Sequence, residues 1–97
     1  MRFSKDYSKF ERVFFTTIRK RRKSQGYILG NPWIIKTPTR QFRARLISIQ
    51  KISKDMITEK LARHDADCSR DELIAMLEKW HGKAFDDFVL LTLERIE

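Results

Sequence analysis

The chain has 97 residues, a formal net charge of +8 and a single cysteine. That length supports one domain spanning 1–97, and a chain of this size buries roughly 60–70% of its unfolded surface. Lone Cys68 excludes an intramolecular disulfide and points to a reducing, cytoplasmic setting, and no apolar run approaches the ~20 residues of a membrane span.

Phe3, Tyr7 and Phe10 recur at spacings of four and three, which predicts a short N-terminal helix, started near Ser4 or Asp6, that covers the core. Val13 to Arg19 is β-branched and aromatic and reads as a strand. Residues 20–26 (K-R-R-K-S-Q-G) have nothing to bury and read as a solvated loop. Gly30-Asn31-Pro32 signals a turn, followed by a short strand, Trp33 to Lys36. From Gln41 to Ile52 runs the longest strand candidate. Its apolar set, Phe42, Ala44 and Leu46, gives way to Ile47 and Ile49, the change of face that a bulged or tightly curled sheet requires.

The second half changes period. Asp55 to Arg63 reads as a helix with Met56, Ile57 and Leu61 on one face. Ser69-Arg70-Asp71-Glu72 is a capping box, and the helix it opens carries Leu73, Ile74, Leu77 and Trp80 on one stripe, stopped by Gly82. That stripe predicts a buried Trp80. Phe85 to Ile96 returns to strand, and Phe88-Val89-Leu90-Leu91 has no polar residue, so both of its faces should be covered. The order predicts a small α+β domain with a closed or nearly closed barrel, a leading helix, and two helices inserted before the last strand.

Charge divides the chain. Residues 1–51 hold fourteen Lys/Arg against Asp6 and Glu11, whereas residues 52–97 hold seven against eleven acids. A basic half joined to an acidic one is the footprint of a polyanion binder. The densest cations are Arg19, Lys20, Arg21, Arg22 and Lys23. Such side chains contact phosphates, and Tyr27 and Trp33 would add base stacking if exposed. Lys36, Arg40, Arg43 and Arg45 would extend the patch if they share a face with the loop. A solvated loop without a partner is the plain alternative.

Taken in order, these motifs resemble the ASCH family, a branch of the PUA-like β-barrel superfamily. The resemblance rests on Thr17-Ile18-Arg19, the basic loop, Tyr27-x-x-Gly30-Asn31, the strand Arg43–Ile52 and the helix Thr58-Glu59-Lys60-x-Ala62. Asp65, Ser69-x-x-Glu72-Leu73, Trp80 and the apolar C-terminal strand complete it. It implies binding of structured or modified RNA, and within the family also hydrolysis of acetylcytidine or RNA. In the amidohydrolase pattern, Gly-x-Lys-x-x-Thr-x-Arg, Thr17 and Arg19 match, and Asp65 falls at the acidic position. Phe14 stands where that pattern has its lysine, no glycine turn precedes it, and Gly-Asp in the turn is Gly30-Asn31. Hydrolysis by Thr17 needs a neighbouring base, which Phe14 is not, so enzymatic activity stays open.

His64, Cys68 and His81 match no usual zinc spacing, and neither a metal nor another cofactor is expected. The leading expectation is an RNA or other nucleic-acid binder that uses the basic loop and a cleft near Thr17, Arg19 and Asp65. The alternatives are a hydrolase acting on RNA or a modified nucleoside at that cleft, and a small protein-interaction module that engages a protein partner through the acidic helical half.

Overall fold

The structure is a computed structural model describing residues 1–21, 26–82 and 87–96. Its organising element is the last strand, β4 (Phe88–Arg95). Strand β4 lies between β1 (Phe14–Lys20) and β3 (Gln41–Lys51), with β2 (Pro32–Lys36) on the far side of β3. Every neighbouring pair is antiparallel, in the order β1-β4-β3-β2. The unbroken apolar run of β4 follows from that central place. Phe88 and Leu90 pack towards the helices, while Val89, Leu91 and Leu93 join the core on the other face. Fully burying such side chains contributes about 1.5–3 kcal/mol each, so both faces of β4 anchor the domain.

Strand β3 changes phase as its pattern predicts. Leu46 lies opposite Leu93 but Ser48 lies opposite Thr92, so Ile47 is an extra residue in the ladder. Before this bulge Phe42, Ala44 and Leu46 point inward; after it Ile49 does, and Ile47 is left exposed. At the entry to β2, Gly30 has a φ of 86°, a left-handed conformation that glycine adopts without strain, and its N–H bonds to Leu46 O at 2.7 Å.

Two helices cover one face of the sheet. Helix α1 (Glu59–Ala66) begins later than its periodicity suggests. A separate 3-10 turn occupies Lys54–Met56 and Ile57 is extended. Thr58 then accepts the Leu61 N–H at 3.0 Å and starts the helix afresh. Ile57 is buried by this break and Met56 is exposed. Helix α2 (Arg70–His81) starts at the expected capping box: Ser69 Oγ accepts from Glu72 N at 3.1 Å, and Glu72 Oε1 accepts from Ser69 N at 3.2 Å. Leu73, Ile74 and Leu77 of α2 pack with Ile18, Ile57, Ala62 and Phe88 in one cluster.

The N-terminal segment is not the expected helix. Only Ser8–Glu11 forms a 3-10 turn, and Arg2 forms a parallel bridge to Lys36 on the outer edge of β2. Phe3 N donates to Lys36 O and Lys36 N to Met1 O, both at 2.9 Å. Unpaired strand-edge groups outcompete a helix here because a ready-made partner lies alongside them. The aromatic residues still cover the core: Phe3 and Phe10 meet edge to face at 4.9 Å, and Phe10 meets Phe15 at 5.3 Å and Phe42 at 5.6 Å.

The result is an α+β fold with an open four-stranded sheet. Among the described residues the edge strands β1 and β2 share no ladder. The N-terminal segment bridges them: it lies along the edge of β2, and Arg19 Nη2 on β1 donates to Arg2 O at 3.0 Å.

Candidate functional site

That meeting of β1, the N-terminal segment and the helices leaves a cavity of about 240 Å³. Thr17 and Arg19 line it from β1, Asp65 and Ala66 from the end of α1, and Trp80 and His81 from the end of α2. Arg2, Phe3, Tyr7 and Lys9 of the N-terminal segment add to the wall, as do Leu73, Met76 and Leu77 of α2. The three residues singled out in the sequence, Thr17, Arg19 and Asp65, therefore share one hollow although Asp65 lies 48 and 46 positions beyond the other two in the chain.

At its floor lies a residue that sequence reasoning did not single out. Lys9 is 2% exposed, and its Nζ donates to Thr16 O at 2.6 Å and stands 3.6 Å from Asp65 Oδ1. Asp65 is 4% exposed and also accepts from Thr16 Oγ1 at 2.8 Å. Rings of Phe3 and Tyr7 lie 5.1 Å from the ammonium, and that of Phe10 lies at 5.6 Å. Burying a cation so completely requires these partners together, because an isolated buried charge is prohibitive. Burial pushes the Asp65 carboxyl up and the Lys9 ammonium down, each towards its neutral form, and their mutual attraction opposes both shifts. The sequence hint was slight: Lys9 falls between Tyr7 and Phe10, inside the aromatic cover.

Arg19 contributes a guanidinium stacked 4.7 Å from the Phe3 ring centroid. Its one hydrogen bond among the described residues goes to Arg2 O, and no carboxylate pairs with it there. Trp80 stands at the rim and is 56% exposed, against the burial its stripe predicts. The helical phase is right, since Trp80 follows Leu73 and Leu77 on one side. The last turn of α2, however, overhangs the cavity instead of packed side chains.

Among the described residues, the remaining cationic and aromatic candidates do not gather into one patch. Lys20 closes β1, and Arg21 is exposed with its N–H on Asp87 O at 2.6 Å. Arg22 and Lys23 lie outside the described residues. Tyr27 is buried in the core, its ring 5.7 Å from that of Trp33, so it is no stacking platform. Trp33 is half-buried, and its enclosed Nε1 finds no hydrogen-bond partner among the described residues. Lys36 is exposed beside the N-terminal segment, and Arg40 pairs with Glu11 at 2.6 Å. Arg43 and Arg45 are exposed on β3, as alternation with Phe42 and Ala44 demands. Lys20 is opposite Phe88 and Arg45 is opposite Glu94. Six residues of β4 separate these two levels, roughly 20 Å, so the β3 arginines sit towards the opposite end of the sheet from Lys20.

His64 Nδ1 takes a hydrogen bond from Arg12 Nη1 at 2.8 Å and lines a second, apolar groove with Phe14 and Leu61. His81 packs edge to face on Phe88 at 5.4 Å, and Cys68 is half-buried beside the Ser69 cap. Among the described residues no three His, Cys, Asp or Glu side chains gather as metal ligands, and no helix is long and apolar enough to cross a membrane. No protein-family model, curated protein or solved structure matches this chain.

Proposed function

We propose that the chain is an ASCH-type, PUA-like domain that binds RNA, taking one unpaired nucleotide into the Thr17–Arg19–Asp65 cavity. The observation that carries this reading is the convergence of those three residues, Thr17 and Arg19 matching the family pattern and Asp65 at its acidic position one methylene shorter than the usual Glu, on a single hollow beside the basic β1 end. A barrel-like closure belongs to the same proposal. It is supported by the N-terminal segment, which lies along the β2 edge and accepts a bond from Arg19 on β1.

The chemistry of the walls suits a nucleotide. Trp80 offers a half-exposed ring at the rim, and base–aromatic stacking is worth about 1–3 kcal/mol per base. Arg2 and Arg19 supply positive charge, while Lys20 and Arg21 continue it where β1 leaves the sheet. The volume, about 240 Å³, falls below the ~300–1,000 Å³ of sites for drug-sized ligands. It favours one unit of a strand over a duplex.

The test is binding of fluorescent single-stranded RNA, structured RNA and matched DNA at two salt concentrations, with Lys20→Glu/Arg21→Glu and Trp80→Ala alongside. Binding that weakens with salt, and weakens further in both folded variants, supports the proposal. Absence of binding by the wild type sinks it.

A second reading is favoured by one observation. Lys9 enters the cavity from the N-terminal segment and supplies the amine that Phe14 cannot. Burial favours its neutral, proton-accepting form. Hydrolysis of an acylated nucleoside would use Thr17 as nucleophile and Lys9 as proton acceptor, with Asp65 holding Lys9 in place. Release of free acid from an N-acylated nucleoside, abolished in Thr17→Ala and in a folded Lys9→Met, would establish it. No turnover by the wild type on acylated nucleosides or RNA excludes it.

A further inference from the structure

Among the described residues, the cavity carries more positive charge than its own groups neutralise. Asp65, its one carboxylate among the described residues, is engaged by Lys9 and by Thr16 Oγ1. That leaves the guanidinium groups of Arg2 and Arg19, neither of which has a carboxylate partner among the described residues. Arg19 is the better placed of the two. It is half-buried, and its guanidinium carbon lies over the Phe3 ring, 4.7 Å from the centroid. Of its five N–H donors only Nη2 is engaged, at 3.0 Å to Arg2 O.

A guanidinium fork that lies over an aromatic ring, lines a hollow and makes no ion pair among the described residues is complementary to a tetrahedral oxyanion, which it binds through two parallel N–H···O contacts. Resting on the RNA-binding reading above, we infer that Arg19, with Arg2, holds the terminal phosphate of a nucleic-acid strand, so that the protein recognises phosphorylated ends. A terminal phosphomonoester carries close to two negative charges at neutral pH, against one on an internal phosphodiester, and two guanidinium groups match the dianion. Phe3, Tyr7 and Trp80 supply the apolar wall for the adjoining sugar and base. The strand would enter at the exposed Trp80 rim, because the floor is closed by Lys9 and Asp65.

The experiment compares wild-type binding of one short single-stranded RNA bearing a 5′-phosphate, a 3′-phosphate or hydroxyls at both ends. It adds a nucleoside monophosphate against the corresponding nucleoside, with inorganic phosphate and acetate as competitors. At least tenfold tighter binding of one phosphorylated end, and of the monophosphate over the nucleoside, is expected. Inorganic phosphate should displace it and acetate should not. Arg19→Gln should erase the preference and Arg19→Lys should retain part of it; because Arg19 is half-buried, the wild-type comparison stands even if these variants unfold.

Equal affinity for all three RNA ends overturns the phosphate site while leaving RNA binding intact. Preference for the monophosphate without binding of RNA keeps the phosphate site and removes the RNA reading. Displacement by acetate alone assigns Arg19 to a carboxylate ligand and overturns the inference.

Discussion

Lys9 Nζ and Asp65 Oδ1 face each other at 3.6 Å, one at the end of a long N-terminal side chain and the other in the last turn of α1, both nearly closed to solvent. Each makes the other tolerable. Removing one partner leaves a buried charge uncompensated, which costs about 3–5 kcal/mol. Lys9→Met and Asp65→Asn should each destabilise by that amount. The double variant should lose clearly less than the sum of the two, because it leaves no orphan charge. Urea unfolding of the four proteins measures the coupling, and additive losses would show that the pair is not one unit.

Asp67 ties the same two segments together at the surface. It ends α1 in the left-handed conformation, with φ 56°, and accepts from Ser8 N at 2.8 Å and from Ser8 Oγ. The Ser8 hydroxyl, then its backbone N–H, hold the Asp67 carboxyl below its ordinary 3.8. A carboxyl depressed by folding contributes stability that is present above its unfolded value and lost as pH falls through the folded one. Asp67→Ala should therefore be less stable than wild type at neutral pH, by about 1 kcal/mol given solvent screening. The difference should shrink steadily below pH 3.8. A gap that stayed constant down to strong acid would remove the carboxylate from the explanation.

The capping box can be probed without touching the cavity. Ser69→Ala removes an acceptor for Glu72 N and should lower stability by about 1 kcal/mol. Thermal unfolding should show the loss, with Ser69→Asp recovering most of it.

Trp80 separates stability from binding. With 56% of its surface open, Trp80→Ala should change folding stability by no more than about 0.5 kcal/mol. If a base stacks on it, the same change weakens RNA binding by roughly tenfold or more. A large loss of stability would instead mean that the ring is part of the core.

Core packing gives the contrasting case. Phe42 is buried against Phe10 and Phe15 and lies under the Arg95 guanidinium at 4.6 Å. Phe42→Ala should cost about 3–5 kcal/mol, readable by chemical denaturation.

Local chemistry made much of the architecture legible. Alternation set the inward face of β3, the break at Ile47 announced the bulge, and Ser69 with Glu72 fixed the start of α2 to the residue. The unrelieved apolar run from Phe88 marked the strand that is covered on both faces. These patterns are readable because each is decided by neighbours within one turn or one pleat. What required the tertiary structure was every pairing across the chain. The N-terminal segment gave up helix for the free edge of β2. Tyr27 went into the core, Trp80 stayed at the rim, and β-sheet register put Arg43 and Arg45 far from Lys20. The meeting of Thr17, Arg19 and Asp65 was suggested by their motif positions alone, and Lys9 was not suggested at all. A buried ammonium is permitted only where a distant carboxylate, a backbone carbonyl and aromatic faces converge on it, and no local pattern records that convergence.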